Sequence, residues 1–282
     1  MAGGRGRRGW MFWARKWSAL LAGAFLLVMV ASACLAPWVA PYPPHQQNVA
    51  QAFRAPGREH LLGTDELGRD VLSRIVHGGR ISFTVGLITV SFASTVGTGA
   101  GLVSGWVGGA VDQLLMRAAD VFLAFPQLVL AMAVAAVMRP GLLSTVVAVA
   151  ATAWPVYARL VRSVVLSVRE REFVEAARAL GEPSLKVLWR HVFPNSVAPI
   201  IVRATLDVGM AILIAANLSF LGFGIQPPAP EWGAMVSGGR NYILNAWWVA
   251  TFPGLAILLT VLACNLLGDT LRDSLDPRLR KL

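Results

Sequence analysis

The chain has 282 residues, 56% of them hydrophobic and only 14% charged, with a formal net charge of +10. A soluble domain carries about 45–50% apolar and about 25% charged residues, so this composition excludes an ordinary soluble globular protein. The basic excess is gathered beside long apolar runs, which excludes reading it as a nucleic-acid surface and makes it a topology signal.

A bilayer core about 30 Å thick needs about 20 mainly apolar residues per helix. Runs of that kind predict spans over 17–39, 81–107, 118–138, 142–166, 197–221 and 247–267. They lack the sustained alternation of barrel strands, so the expectation is an all-α membrane protein of six helices. The second and fifth spans are rich in Gly, Ser and Thr, which let helices approach closely. Three basic clusters fall on one side of such a chain: Arg5, Arg7, Arg8, Arg15 and Lys16; Arg169, Arg171, Arg178, Lys186 and Arg190; and Arg278, Arg280 and Lys281. The positive-inside rule makes that side, with both termini, cytoplasmic. Ala31-Ser32-Ala33 before Cys34 has the look of an export-signal cleavage site, but the early apolar start and the later spans favour an uncleaved first helix. Cys34 and Cys264 both fall in spans, where a small buried hydrophobe is the expected role.

Residues 41–60 form a Pro- and Gln-rich loop leading into Leu62-Gly63-Thr64-Asp65-Glu66-Leu67-Gly68-Arg69-Asp70-Val71-Leu72-Ser73-Arg74. Thr64 suits a helix N-cap, Asp65 and Glu66 suit the positive end of a helix dipole, and Asp70 and Arg74 stand at pairing distance. This segment is either a short surface helix or a docking element for an external partner, with Asp65, Arg69 and Asp70 as its candidates. Between the fifth and sixth spans, Gly222 to Gly233 holds three prolines and three glycines, which preclude a regular helix. Trp232, Trp247 and Trp248 suit an interface belt. An irregular outer loop is the plain reading, and a gate using Gln226 and Trp232 the sharper one.

The most informative stretch is Arg171-Glu172-Phe173-Val174-Glu175-Ala176-Ala177-Arg178-Ala179-Leu180-Gly181. At helical spacing Phe173, Val174, Ala176, Ala177 and Leu180 share one face, opposite Arg171, Glu172, Glu175 and Arg178. Gly181 can end the helix in a left-handed conformation and Pro183 can open the next one. There Leu185, Leu188, Trp189 and Val192 repeat at helical spacing, and Pro194 closes the unit. Such an element fits either a partner's groove or the membrane surface.

Glu175-Ala176-Ala177, three further residues, Gly181 and a distant Pro194 resemble the EAA loop of ABC importer permeases. Arg190-His191-Val192-Phe193-Pro194-Asn195, the 63–74 stretch, Leu218-Ser219-Phe220-Leu221-Gly222-Phe223-Gly224-Ile225-Gln226-Pro227-Pro228 and 265–277 are similar to the C-type subunit of the dipeptide/oligopeptide/nickel branch. The likeness spans nearly the whole chain, with Ala215 standing where members often carry Glu. It implies a type I ABC importer permease fold. It divides the chain into 1–60 (cytoplasmic tail, first span and start of an external loop), 61–80 (external amphipathic segment), 81–271 (core permease domain with cytoplasmic loop 169–194) and 272–282 (cytoplasmic tail). It further implies that Glu175, Ala176, Ala177, Gly181 and Pro194 couple the chain to an ATPase. The implied partners are a second permease in a heterodimer, two ABC ATPase subunits that bind the ATP and Mg, an external substrate-binding protein and membrane lipid. The cargo implied is a dipeptide or oligopeptide, with a nickel complex, glutathione or haem as the alternative.

No Gly-x-x-x-x-Gly-Lys-Ser/Thr phosphate loop occurs in the sequence, in keeping with an energy source on other subunits. A proton- or ion-coupled transporter would want ionisable residues in mid-membrane, where Arg203 and Asp207 stand out, four apart. An intramembrane enzyme would want a convergent cluster, whereas His45, His60, His77 and His191 fall in loops or at span ends.

Overall fold

Segments apolar around the whole helix circumference, as in 142–168 and 248–275, leave no backbone polar group unpaired in a membrane only if the chain is helical throughout. The computed structural model describes residues 4–275, with side chains from Trp17 onward. The side chains of Arg5, Arg7, Arg8, Arg15 and Lys16, and residues Arg278, Arg280 and Lys281, lie outside that description. Among the described residues the regular structure is entirely helical. It comprises α1 (Gly4–Cys34), α2 (Ala36–Val39), α3 (Val71–Val107), α4 (Gly109–Leu123), α5 (Gln127–Ala136) and α6 (Leu142–Val168). There follow α7 (Glu172–Ala179), α8 (Ser184–Val187), α9 (Phe193–Phe220), α10 (Trp232–Gly239) and α11 (Trp248–Leu275). Five helical stretches are long and apolar enough to cross a membrane, or six if α4 and α5 count as one span.

That qualification corrects the third expected span. Residues 118–138 are not one helix: α4 and α5 meet at a bend of 92°. Pro126 stands at the break as the N-cap of α5, with extended backbone, ψ 127°. Proline disfavours helical backbone in the residue before it and cannot continue the hydrogen-bond ladder.

The second span starts ten residues early. Asp70, not Thr64, caps it, accepting a hydrogen bond from the Ser73 backbone N–H at 2.7 Å. Residues 61–80 are therefore not a separate helix but a turn-rich segment followed by the first turns of α3.

α3 is the central helix. Gly97, Gly101 and Gly105 recur every four residues along it and face α6, which runs parallel to it. A Cβ on Gly101 would stand 2.5 Å from the Ala158 carbonyl, and one on Gly105 would stand 2.8 Å from Val165 Cβ. The backbones meet there because nothing larger than hydrogen stands between them. α9 crosses the other side of α3 at Gly86, and α11 packs antiparallel to α9 around Gly209 and Gly268. α1 lies against α11 and α3, with Gly23 near Leu267 and Ala33 near Gly79.

The bundle has two distinct ends. At one, the 40–70 loop, the starts of α3 and α11 and α10 gather; Trp248 donates its indole N–H to the Thr64 carbonyl at 3.1 Å and Trp232 to that of Ile75 at 2.9 Å. Both indoles are buried, so of the three expected interface tryptophans only Trp247 is exposed. Cys264 is buried as expected; Cys34 is exposed. Ala215 packs in an apolar cluster with Val85 and Ile225, where a carboxylate would lack a partner. The other end carries α7 and α8.

Candidate functional site

α7 forms where acidic Glu172 and Glu175 occupy the first turn and Arg178 the last, complementing the helix dipole at both ends. Its termination is fixed by two bonds: the Glu182 N–H reaches the Ala177 carbonyl at 3.1 Å and the Gly181 N–H that of Arg178 at 2.9 Å. This is the Schellman arrangement, which needs a left-handed residue, and Gly181 supplies it at φ 79°. Pro183 then caps α8 with extended backbone.

The loop is bolted to the bundle. Val174, Ala177, Val187, Leu188 and Val192 are buried against Leu102, Val161 and Val165 of α3 and α6. The Arg178 guanidinium lies 4.7 Å above the Trp106 ring, whose N–H donates to Ser184 Oγ at 2.9 Å. Arg169 donates to the Gly105 carbonyl at 3.0 Å. Glu182 takes Lys186 at 3.0 Å and His191 at 3.1 Å, and the Lys186 and His191 contacts hold its carboxyl below the usual range. Trp106, Ser184 and Glu182 were not singled out from the sequence. Trp106 lies some 70 residues from its partners, at the end of an apolar run where it reads as another interface aromatic.

Two expectations about this loop change. Of the face expected to be apolar, only Val174 and Ala177 turn inward, while Ala176, Phe173 and Leu180 are exposed. Leu180 is 86% and Leu185 65% exposed, and Trp189 also faces out. The loop thus keeps one apolar surface for itself and shows a second one outward, with exposed Glu175 beside it. Pro194 does not close the unit. It follows directly on the π-helical turn, in the first residues of α9, where the hydrogen-bond ladder is already rearranged around its missing N–H. α8, a π-helical turn at Leu188–Val192 and α9 run on as one rod from Ser184 to Phe220.

At the opposite end, Asp65, Arg69 and Asp70 come together, but inward. Asp65 accepts from the backbone of Leu67 and Arg69, both at 3.0 Å, and from Arg69 Nε at 2.6 Å, with Arg74 Nε at 3.5 Å. The expected Asp70–Arg74 pair is not formed. Asp70 instead bonds the Ser73 hydroxyl at 2.7 Å and His60 Nδ1 at 2.9 Å, because capping α3 turns its carboxylate away from Arg74. Gln226 is exposed on the loop after α9, whereas Trp232 is fully buried. Beside Trp232, Glu231 caps α10, accepting from the Ala234 N–H at 2.8 Å, and burial pushes its carboxyl up.

Within the bundle Arg203 Nε donates to Asp207 Oδ2 at 2.9 Å. They are not alone as charges inside the helices. Arg162 forks onto Asp112 with two bonds of 2.6 Å, and Arg159 pairs with Asp120, tying α6 to α4. The sequence leaves these pairs unread because their partners lie 39 and 50 positions apart.

The helical core matches a family described as binding-protein-dependent transport system inner membrane component over residues 71–281, and residues 5–56 match the N-terminal TM domain of oligopeptide transport permease C. The chain is 46% identical over 277 residues to the di/tripeptide transport system permease protein DppC of Pseudomonas aeruginosa, covering 96% of this chain and 91% of that protein. It is 43% identical to a probable D,D-dipeptide transport system permease protein of Escherichia coli, over 93% of this chain and 86% of that one. To the glutathione transport system permease protein GsiD of Pectobacterium atrosepticum it is 44% identical, over 97% and 91%. Among solved structures, the inward-facing MetNI methionine ABC transporter superposes with a TM-score of 0.56 at 16% identity, over 72% of this chain and 97% of that one, a likeness of fold. The chain belongs to the binding-protein-dependent transport system inner membrane components, the multi-pass permease subunits of ABC importers.

Proposed function

We propose that this chain lines half of the path by which an ABC importer carries dipeptides and oligopeptides inward across the cytoplasmic membrane, and that α7 is where an ATPase subunit docks. The other half of the path comes from a second, different permease, two ATPase subunits bind the ATP and Mg, and an external binding protein delivers the cargo. Both termini and the 169–194 loop lie in the cytoplasm, and the 40–70 loop and Gln226 lie outside. Peptide is preferred over a nickel complex, glutathione or haem because two relatives at 46% identity are named for di/tripeptide and dipeptide transport, against one at 44% named for glutathione.

The observation that carries the docking assignment is the outward apolar surface of Phe173, Ala176, Leu180 and Leu185 on a loop immobilised from behind. A helix meant for the membrane surface tolerates or gains from added lysine at its polar boundary, whereas a protein groove does not. Leu180→Lys, in a side chain that packs against nothing in this chain, leaves insertion normal. It lowers ATPase co-purification and ATP-dependent dipeptide uptake in proteoliposomes by roughly tenfold, the loss of one buried leucine contact. Wild-type levels of both would return α7 to the membrane surface.

A further inference from the structure

One stripe of α9 lines two spaces in succession. Val197 and Ile200, then Arg203, Asp207 and Met210, recur three or four residues apart and so stand one above another. Val197 and Ile200 line an apolar groove of about 440 Å³ closed by Thr98 and Leu102 of α3. Arg203 and Asp207 line a smaller cavity of about 60 Å³, with Thr89, Gln127 and Tyr157 on its walls. That is room for several waters, and enough for a carboxylate.

The polar groups around this cavity are not closed on one another. Arg203 has 43% of its side chain exposed, and only its Nε is engaged, by Asp207. Its two terminal nitrogens make no hydrogen bond among the described residues. The hydroxyls of Thr89 and Tyr157 are fully buried and neither forms a hydrogen bond of normal geometry, although Tyr157 lies beside Asp207. Buried hydroxyls in a folded protein are normally satisfied. A half-exposed guanidinium midway along a membrane helix is strongly penalised against lipid, so this side of α9 faces protein or a water-filled path.

We propose that Arg203, held by Asp207 and flanked by the hydroxyls of Thr89 and Tyr157, binds the C-terminal carboxylate of the peptide in transit. The guanidinium fork matches a carboxylate with two parallel bonds. Asp207 sets its orientation and keeps the empty site from carrying a net charge. The groove beside the cavity takes the adjoining apolar side chain.

This inference rests on the peptide-importer reading, and the test separates the two. The complete transporter in proteoliposomes is given a dipeptide and its C-terminal amide, each at concentrations that saturate the binding protein. Wild type takes up the free acid faster than the amide. Arg203→Gln slows the free acid roughly tenfold more than it slows the amide, so the ratio moves toward one. Arg203→Lys retains the charge and the Asp207 pair, accumulates normally and shows a smaller move in the same direction. An unchanged ratio in Arg203→Lys, with either unchanged or equally reduced uptake of both peptides, overturns the site. Loss of the second permease from purified Arg203→Gln complexes, with the ratio of the Lys variant unmoved, would instead make Arg203 an assembly residue. Failure of wild type to import either peptide would overturn the peptide-importer reading itself.

Discussion

Ala176 and Ala177 are adjacent and chemically identical, and the fold gives them opposite duties. Ala177 is buried under α7 against Val174 and Val187, while Ala176 faces out. Ala177→Trp overpacks the loop's own support, at about 1–3 kcal/mol, and so lowers accumulation as well as coupling. Ala176→Trp keeps accumulation normal and reduces ATPase co-purification, which a pull-down of the two variants side by side checks. Asp207 gives a second contrast. Asp207→Ala leaves Arg203 unpaired in the membrane at about 2.5–3.5 kcal/mol on insertion scales. Folded protein measured by fluorescence-detected gel filtration falls, and adding Arg203→Ala restores part of it. If the double variant accumulates no better than the worse single one, the two charges are not coupled. Spacing alone made the Arg203–Asp207 pair readable, since residues four apart on a helix meet. It could not decide between Ala176 and Ala177, because which of two small apolar residues faces inward depends on where α3 and α6 supply a surface.

Elements were legible where hydropathy and period agree, as in α6, α9 and α11, and misread where one chain property hid another. The apolar run through 118–138 continues unbroken across Ala124-Phe125-Pro126, so composition shows a span while the backbone turns by 92°. The start of α3 was placed late because Val71 to Arg80 is too polar to read as membrane, yet Asp70 caps it all the same. The α3–α6 seam was foreseen only as a richness in glycine. Gly101→Leu places a branched side chain where even a Cβ meets the Ala158 carbonyl. The expected result is a fall in thermal stability with α7 displaced as well, since α6 carries its support. The α7–α8 turn also has a pH signature. Glu182 is held below its ordinary pKa by Lys186 and His191, so its contribution is present at neutral pH and disappears as pH falls through that lowered value. Protection factors for amide exchange at Ser184–Val187, with the intrinsic pH dependence of exchange divided out, fall on acidification in wild type, and Glu182→Gln is already less protected at neutral pH and loses that dependence.

At the scale of the molecule the two ends are built differently. The end with the 40–70 loop is closed by buried ion pairs and two buried indoles, and the end with α7 by apolar packing and exposed leucines. Cysteines report which end faces which compartment, provided exposed positions are chosen: Glu59 and Gln226 at one end and Lys186 at the other, in a background lacking Cys34 and Cys264. An impermeant thiol reagent on intact cells labels positions 59 and 226 and spares 186; labelling of 186 would reverse the orientation.

The uninterrupted rod from Ser184 to Phe220 makes rotational phase a property of this chain. Each residue of an α-helix turns its axis by about 100°, and the π turn at Leu188–Val192 holds one residue more than an α-turn would. Deleting one residue there heals the rod to plain α-helix and leaves its two flanks in phase, because the surplus residue is what the wide turn absorbs. Deleting Ala198, beyond that turn, instead rotates everything before it, α7 included, by about 100° relative to Arg203 and Asp207. That deletion keeps every side chain proposed to meet the ATPase and every one proposed to line the path, and it aims them in mismatched directions. Such a protein should insert and still hydrolyse ATP with its partners while hydrolysis no longer moves peptide, a slipped clutch with both of its plates intact.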